Sequence, residues 1–171
     1  MLTLRKIEPA DLPLLYVWEN DSASWADGSN HNPLSRQDLR NYLEQTTGDI
    51  YRDGQLRLVI DVTDSDGTLP VGCIDLFDFE PRNLRAGIGI YVAPHYRRQG
   101  YGAEAMKRLM DYAFAFLHLR LVYAFVSTDN TASEHLFARQ QFQPSSVLQG
   151  WTQEHDARLW LKNNENPFSN D

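Results

Sequence analysis

The change of pattern around Gly100 and Gly102 constrains this chain more than any other feature of its sequence. Residues 85–93 predict a strand, and a proline follows at its end. Residues 100–117 predict a long helix, because apolar side chains recur there at nearly 3.6-residue spacing. These side chains are Ala105, Met106, Leu109, Met110, Ala113, Phe116 and Leu117. The chain must therefore pass from a strand into a helix through a glycine-containing turn.

A turn of this kind can hold an anion. The first N–H groups of a helix have no partner inside the helix, and the helix dipole favours negative charge there. Glycines let the backbone approach a phosphate closely, and Arg97 and Arg98 can add charge-assisted contacts. A plain helix start beside solvated arginines is the alternative. The sequence contains neither the P-loop motif nor the Rossmann glycine fingerprint.

The remaining segments predict one α/β (α+β) domain. Several antiparallel strands precede a strand–helix–strand–helix unit, which indicates a mixed sheet. We expect strands over residues 2–7, 55–63, 71–79, 121–127, 142–148 and 157–161. We expect helices after Pro9 with Asp11 as the cap, from Ser35 with Asp38 completing a capping box, and over residues 130–140. The sequence from Asp64 to Gly67 predicts a hairpin turn.

Composition narrows the classes of function. The 171 residues suit a single domain, which we expect over residues 1–165 with a flexible tail at 166–171. A lone cysteine, Cys73, and five histidines without ligand spacing predict no disulfide and no metal site. The net charge of −7 disfavours nucleic acid and is compatible with a cationic substrate or with solubility alone. No signal peptide or membrane-spanning run is visible, so we expect a cytoplasmic protein and no membrane partner.

A second motif lies between Asn130 and Phe142 and makes the interpretation specific. It matches the pattern N-x-x-[AS]-x-x-L-[YF]-x-x-x-G-F, except that Gln141 replaces the glycine. The turn that begins at Arg97 matches the pattern R/Q-x-x-G-x-G/A. With these two motifs the chain resembles the GNAT superfamily of N-acetyltransferases over nearly its whole length. It is most similar to the ribosomal-protein-alanine and spermidine (diamine) branches.

The resemblance implies a sheet that splays between its fourth and fifth strands, with acetyl-CoA as cosubstrate. Backbone groups of Ile90, Tyr91 and Val92 would pair with the pantetheine arm like an added strand. The turn and helix start would bind the pyrophosphate through Arg97, Arg98, Gln99, Gly100, Tyr101, Gly102 and Ala103. Asn130 would cap its helix and contact the pantetheine, and Ser133 and Phe137 would lie beside it.

Two departures from the family pattern concern proton transfer. Phe137 stands where many members have a tyrosine that protonates the leaving thiolate, so Ser133 is the nearest hydroxyl, one helical turn earlier. Phe125 stands where members often have a glutamate on the fifth strand. An N–H of Val92 or its neighbour would polarise the acetyl carbonyl.

The candidate general bases fall into two sets, acting directly or through water. The first set is Asp75, Asp78 and Glu80, of which Asp75 and Asp78 interrupt an apolar strand. The second set, in or before an early loop, is Glu19, Asp27 and His31. Each is also interpretable as an ordinary surface or capping residue.

The acceptor and the partners stay open at this level. The acidic early loops favour a small polyamine or diamine, while the ribosomal-protein branch favours a protein N-terminal amine. Trp18, Trp25 and Tyr42 either line the acceptor pocket or pack in the core. A catalytically weak acyl-CoA sensor of the same fold is the alternative function. The resemblance implies a homodimer through sheet edges or C-terminal strands as the expected assembly.

Overall fold

The structure, a computed structural model, describes residues 1–22, 32–152 and 155–165. In this part of the chain, seven strands form one sheet in the order β1-β2-β3-β4-β5-β7-β6. Only the β4–β5 pair is parallel. The strands are β1 (Leu2–Lys6), β2 (Leu56–Asp64), β3 (Gly67–Glu80), β4 (Arg85–Val92), β5 (Leu121–Ser127), β6 (Gln143–Leu148) and β7 (Ala157–Asn163). The predicted mixed, mostly antiparallel α/β sheet is confirmed.

Helices cover both faces of the sheet. They are α1 (Leu12–Glu19), α2 (Arg36–Gln45), α3 (Ile50–Asp53), α4 (Tyr101–Asp111) and α5 (Thr131–Arg139). Side chains of α4 and α5 join the larger core, which includes Ile74, Leu76 and Val122. Side chains of α1 and α2 join a smaller core with Cys73. Because side chains alternate along a strand, Asp75 shares the α1–α2 face of the sheet with Cys73.

The strands β4 and β5 separate after three paired residues. Their pairing runs from Arg85 opposite Leu121 to Gly87 opposite Tyr123. Beyond that point β4 stays bonded to β3 and β5 stays bonded to β7, so the two strands are held apart. The splay predicted from the family resemblance is confirmed, and it lies between residues 88–92 and 124–127.

The helices differ from the sequence prediction at two places and agree with it at two helix starts. The helix predicted over 100–117 changes to π-helical geometry at Tyr112–Phe116, where Tyr112 stacks on Phe116 with ring centroids 5.2 Å apart. The short helix α3 was not predicted, because four residues are too few to show a helical period. Predicted helix starts at Ser35 and Asn130 are confirmed by side chains that accept the N–H groups of Asp38 and Ser133.

Asp11 is the N-cap residue of α1, as predicted, but its side chain makes no capping hydrogen bond to that helix. The carboxylate of Asp11 accepts two hydrogen bonds from the Arg5 guanidinium, at 2.7 and 2.8 Å, and one from the N–H of Glu8 at 2.8 Å. The same guanidinium donates to Asp61 at 2.6 Å. Charge-assisted bonds to a cation are stronger than a helix cap, so the cation determines where this carboxylate points.

Candidate active site

The turn between β4 and α4 presents a row of backbone N–H groups. A 3-10 turn at Pro94–Tyr96 leads into it, and both Arg98 (φ 61°) and Gly100 (φ 86°) have left-handed backbone conformations. Gly100 precedes α4 without a side-chain cap, and the first helical bond runs from the N–H of Glu104 to Gly100 at 3.1 Å. The N–H groups at the start of α4 therefore have no acceptor within the helix. Backbone of this shape forms an anion-binding concavity.

Gly102 marks the point where the turn, β4 and α5 meet. A Cβ atom added at this position would lie 3.6 Å from side-chain atoms of Ile90 and Val92, and 3.7 Å from Leu136. These are ordinary van der Waals distances, so the packing of the protein itself does not require glycine here. The missing side chain instead leaves the helix start open to a ligand that lies along β4.

The end of β4 directs alternate backbone groups into the splay. The N–H of Ala93 donates to the carbonyl of Val71 on β3 at 2.9 Å. Because the direction of backbone groups alternates along a strand, the N–H and C=O groups of Ile90 and Val92 point away from β3, toward the splay. The carbonyl of Tyr91 faces β3, where it crowds Gly72. Of the three predicted pantetheine contacts, Ile90 and Val92 thus offer backbone groups to the splay.

Side chains of the turn support this strand end. The Nε of Arg97 donates to the carbonyl of Val92 at 2.7 Å, and its guanidinium lies 5.8 Å from the ring centroid of Tyr91. The hydroxyl of Tyr91 donates to Asp21 at 3.2 Å. Burial, together with the carboxylate of Asp21, raises the pKa of Tyr91 to about 12. The phenol is therefore a neutral hydrogen-bond donor at physiological pH.

The start of α5 lies beside the same opening. The side chain of Asn130 accepts the N–H of Ser133 at 3.0 Å. Ser133 is half-buried and one turn before Phe137, which is only 3% exposed and packs edge-on against Phe142 at 5.0 Å. Leu136, three residues after Ser133, lies near Gly102, so α5 adjoins the helix start of α4.

A buried ion cluster lies on the α1–α2 face of the sheet. Arg57 on β2 donates to Glu19 at 2.6 Å and lies 3.9 Å from Asp75. The Asp75 side chain is 13% exposed; burial raises its pKa, and Arg57 opposes that rise. Burial opposes the charge of Arg57, but the two carboxylates outweigh it and raise the pKa of the guanidinium. The guanidinium of Arg57 therefore stays charged although it is largely shielded from water.

An open recess adjoins this cluster. Its volume is about 260 Å³. It is lined by Glu19, Leu34, Asp38, Leu39, Tyr42 and Arg57. Hydrogen bonds from the hydroxyl and N–H of Ser35 hold the pKa of Asp38 below its ordinary value. The recess thus has two carboxylates on its walls, and Tyr42, one of the aromatic residues considered for an acceptor pocket, also lines it.

The other acidic candidates are dispersed. Asp78 is exposed, has a positive φ of 47° at a bulge in β3, and accepts from the hydroxyl of Tyr123 at 3.4 Å. Glu80 accepts from the N–H of Arg82 in the β3–β4 turn. The predicted residues Trp25, Asp27 and His31 lie outside the described residues. Trp18 is 8% exposed and belongs to the smaller core, 6.1 Å from the ring of Tyr91.

Sequence reasoning missed two members of this region. Arg57 is a single cation between two leucines in an apolar strand. A charge at such a position must be paired, and this was the signal that could have identified it. Trp151, 54% exposed, stacks on Phe125 with centroids 4.8 Å apart, a long-range contact that no local pattern indicates.

The variant Arg57→Met is expected to lower the free energy of unfolding by about 3 kcal/mol, because Glu19 and Asp75 lose their shared cation. For a domain of this size the melting temperature should fall by about 6–12 °C. Thermal unfolding measures this. The double variant Arg57→Met/Asp75→Asn is the control, since it removes one stranded charge and should recover part of the loss. An unchanged melting temperature in the single variant would contradict the role of the cluster.

The structure also bears on metals and membranes. Within residues 1–22, 32–152 and 155–165, no three His, Cys, Asp or Glu side chains are grouped so that they could hold a metal ion. None of the helices described is both long and apolar enough to cross a membrane.

Comparison with known proteins agrees with the geometry. The family described as acetyltransferase (GNAT) domain matches residues 1–143. An uncharacterized N-acetyltransferase p20 of Bacillus licheniformis is 29% identical over 156 residues, covering 88% of this chain and 83% of the relative. The uncharacterized N-acetyltransferase YoaA of Bacillus subtilis is 28% identical over 149 residues, covering 86% and 82%.

A solved structure extends the likeness to nearly the whole fold. The spermidine N-acetyltransferase from Vibrio cholerae, in complex with CoA and spermine, superposes with a TM-score of 0.84 at 20% identity, covering 97% of both chains.

A sheet that opens beside an uncapped helix start defines an acyl-CoA-dependent acyltransferase, because an amide-bearing arm can pair with the open strand while its phosphates meet the helix. The chain belongs to the acetyltransferase (GNAT) domain family. It is an N-acetyltransferase with acetyl-CoA as its cosubstrate.

Proposed function

We propose that this enzyme acetylates a primary amine of a small polyamine or diamine by direct attack in a ternary complex. The observation that carries the proposal is the acid-lined recess on the α1–α2 face. Among the described residues that line it, Glu19 and Asp38 outnumber the cation Arg57, and a third carboxylate, Asp75, lies 3.9 Å from Arg57. Such an excess of carboxylates attracts an acceptor with several ammonium groups. The fold likeness to a protein solved with CoA and spermine supports the same choice.

The cosubstrate, which supplies an activated acetyl thioester, would be held by groups on three elements. N–H groups of the turn, from Arg98 to Ala103, would bind the pyrophosphate, with Arg97 adding charge. Backbone groups of Ile90 and Val92 would pair with the pantetheine. The start of α5 would border the thioester end through Asn130, Ser133 and Phe137. The uncapped helix start and the unpaired strand end are the features that fit these roles.

Attack on the acetyl group requires a neutral amine, a polarised carbonyl and a stable leaving group. The N–H of Val92 points into the splay and would bind the carbonyl oxygen as negative charge develops on it. An alkylammonium group has a pKa of about 10, so the amine must first lose a proton before it can attack. We assign that proton to Asp75, through water, because its carboxylate lies beside Gly89 on β4. Asp78, held by Tyr123, is the second candidate.

The leaving thiolate needs little help. A thiol of this type has a pKa of about 8.5, so its anion is a tolerable leaving group near neutral pH. The hydroxyl of Ser133 would donate a hydrogen bond to the sulfur. Phe137 has no proton to give and would contribute only contact area.

Release of free thiol tests the acceptor class. The protein is incubated with acetyl-CoA and spermidine, putrescine, butylamine or a peptide with an N-terminal alanine. We expect the two multivalent amines to give kcat/KM values about 5- to 30-fold above butylamine, because one further bound ammonium group is worth about 1–2 kcal/mol. Highest turnover on the peptide would overturn the choice of a polyamine or diamine in favour of a protein N-terminus.

The same experiment covers a second candidate function. Phe125 and Phe137 occupy the positions where relatives often carry proton-transfer groups, and this favours an acyl-CoA sensor with weak turnover. Thermal stabilisation by acetyl-CoA without thiol release on any amine would support the sensor. A lack of stabilisation by CoA would contradict cosubstrate binding itself.

Assembly into a homodimer stays a prediction. The strands β1 and β6 form the two edges of the sheet, and the first five residues of β6 are exposed. An exposed strand edge can pair with a second copy. Sedimentation of the protein over a range of concentrations measures whether it does.

A further inference from the structure

A row of aromatic rings crosses the α1–α2 face of the sheet. Phe77, Tyr123, Phe125 and Trp151 follow one another, with centroid separations of 6.3, 5.5 and 4.8 Å. On β5 the alternate residues Val122, Ala124 and Val126 are buried in the larger core. Tyr123 and Phe125 must therefore point to the opposite face, which they share with Asp75.

On the same face of the sheet, β4 carries no side chains of its own at Gly87 and Gly89. A Cβ at Gly87 would lie 2.4 Å from the ring of Phe77, so only glycine admits that ring. A Cβ at Gly89 would lie 3.1 Å from the Asp75 carboxylate. Phe77 and Asp75, both on β3, therefore lie over the two glycines of β4.

The strand register places Asp75 and Phe125 at the same level along the sheet. Asp75 pairs with Gly89 across β3 and β4, and Gly87 pairs with Tyr123 across β4 and β5. Two residues further along the parallel strands, Gly89 therefore lies level with Phe125. At that height β4 and β5 no longer pair, so the splay opens between the carboxylate of Asp75 and the ring of Phe125.

We propose that Phe125 and Trp151 form an aromatic seat for the second ammonium group of the acceptor, and that this seat selects diamines over monoamines. The inference rests on the proposed acceptor class and extends it to named residues. The ring of Phe125 covers one face of Trp151 with an interplanar angle of 25°, while Trp151 remains 54% exposed. An ammonium group is attracted to the open face of an indole, which binds cations better than other aromatic rings do.

Steady-state kinetics of Trp151→Ala and Trp151→Phe with putrescine and butylamine test the seat. These amines share a four-carbon chain and differ by one ammonium group. Trp151→Ala should raise KM for putrescine about 3- to 30-fold, with a smaller change in kcat and in KM for butylamine. Trp151→Phe should recover most of the putrescine affinity. Phe116→Ala is the control, because Phe116 is 69% exposed and stacks on Tyr112 away from this face.

Tryptophan fluorescence gives a second readout that does not depend on turnover. Putrescine should change the emission of the wild-type protein, and Trp151→Phe should lose that change while its melting temperature stays near the wild-type value. Equal KM values for putrescine in Trp151→Ala and wild type would overturn the seat. If no amine is acetylated, the proposed acceptor class is wrong, and the absence of a Trp151-dependent fluorescence change would then overturn the seat independently.

Discussion

Gly102→Val is expected to weaken acetyl-CoA binding by about 100-fold while leaving the melting temperature nearly unchanged. The expectation follows from the distances around Gly102. A Cβ there meets only side-chain atoms at 3.6–3.7 Å, so the fold itself accepts a side chain. The side chain would instead project between the start of α4 and the ends of Ile90 and Val92. The loss of one charge-assisted N–H bond to the pyrophosphate, worth about 1.5–3 kcal/mol, accounts for a factor of this size.

A graded series sharpens this test. Gly102→Ala should reduce affinity by a smaller factor and should stabilise the helix slightly, because alanine is favoured over glycine in a helix by about 1 kcal/mol. Ala138→Val adds similar bulk at an exposed position of α5 and should change neither quantity. Calorimetric titration with acetyl-CoA and thermal unfolding provide the two measurements. Equal losses of acetyl-CoA affinity and of stability in Gly102→Val would mean that the turn has only a structural role.

The elements that could be predicted from sequence are those determined by local pattern. The strand over 85–92, the glycine turn and α4 follow one another directly, so periodicity and two glycines were sufficient to place them. The splay between β4 and β5 followed from two motifs and not from periodicity. The capping box at Ser35 and the cap at Asn130 were predicted because capping is a contact across three residues.

The features that could not be predicted depend on contacts between distant residues. The side chain of Asp11 points to Arg5, whose guanidinium also binds Asp61 on the neighbouring strand. The apolar pattern that predicts the helix gives no indication of this ion pair. Arg57 meets Glu19 and Asp75 across 38 and 18 residues of sequence, so the ion cluster appears only once the sheet and α1 are assembled. The stack of Trp151 on Phe125 likewise requires the pairing of β5 with β7.

These long-range contacts change the interpretation of the acidic candidates. From sequence, Asp75 and Asp78 were equivalent, since both interrupt an apolar strand. In the fold Asp75 is shielded, paired with Arg57 and adjacent to Gly89 in the splay. Asp78 is exposed at a bulge beside residues 85–87, where β4 and β5 are still paired. Burial raises the pKa of Asp75, which makes it the better proton acceptor once an ammonium group is brought near.

Val92→Pro is expected to reduce kcat by about 100- to 1000-fold, the loss typical of removing one donor to a developing oxyanion. Proline deletes the backbone N–H and leaves the rest of the chain intact. The N–H of Val92 points into the splay and is not used by the β3–β4 ladder, so its removal should cost little stability. Tyr91, the preceding residue, is already extended, as a residue before proline prefers to be.

The neighbouring position provides the matched control for this prediction. The N–H of Ala93 donates to Val71, so Ala93→Pro should lower the free energy of unfolding by about 1–3 kcal/mol, whereas Val92→Ala, which keeps its N–H, should retain kcat. Single-turnover rates and thermal unfolding of the three variants separate the two roles. If Val92→Pro loses as much stability as Ala93→Pro, the assigned direction of the backbone groups is wrong. If it folds and retains its rate, the N–H of Val92 does not stabilise the oxyanion, and Ile90, the other residue whose N–H points into the splay, becomes the position to test by the same substitution.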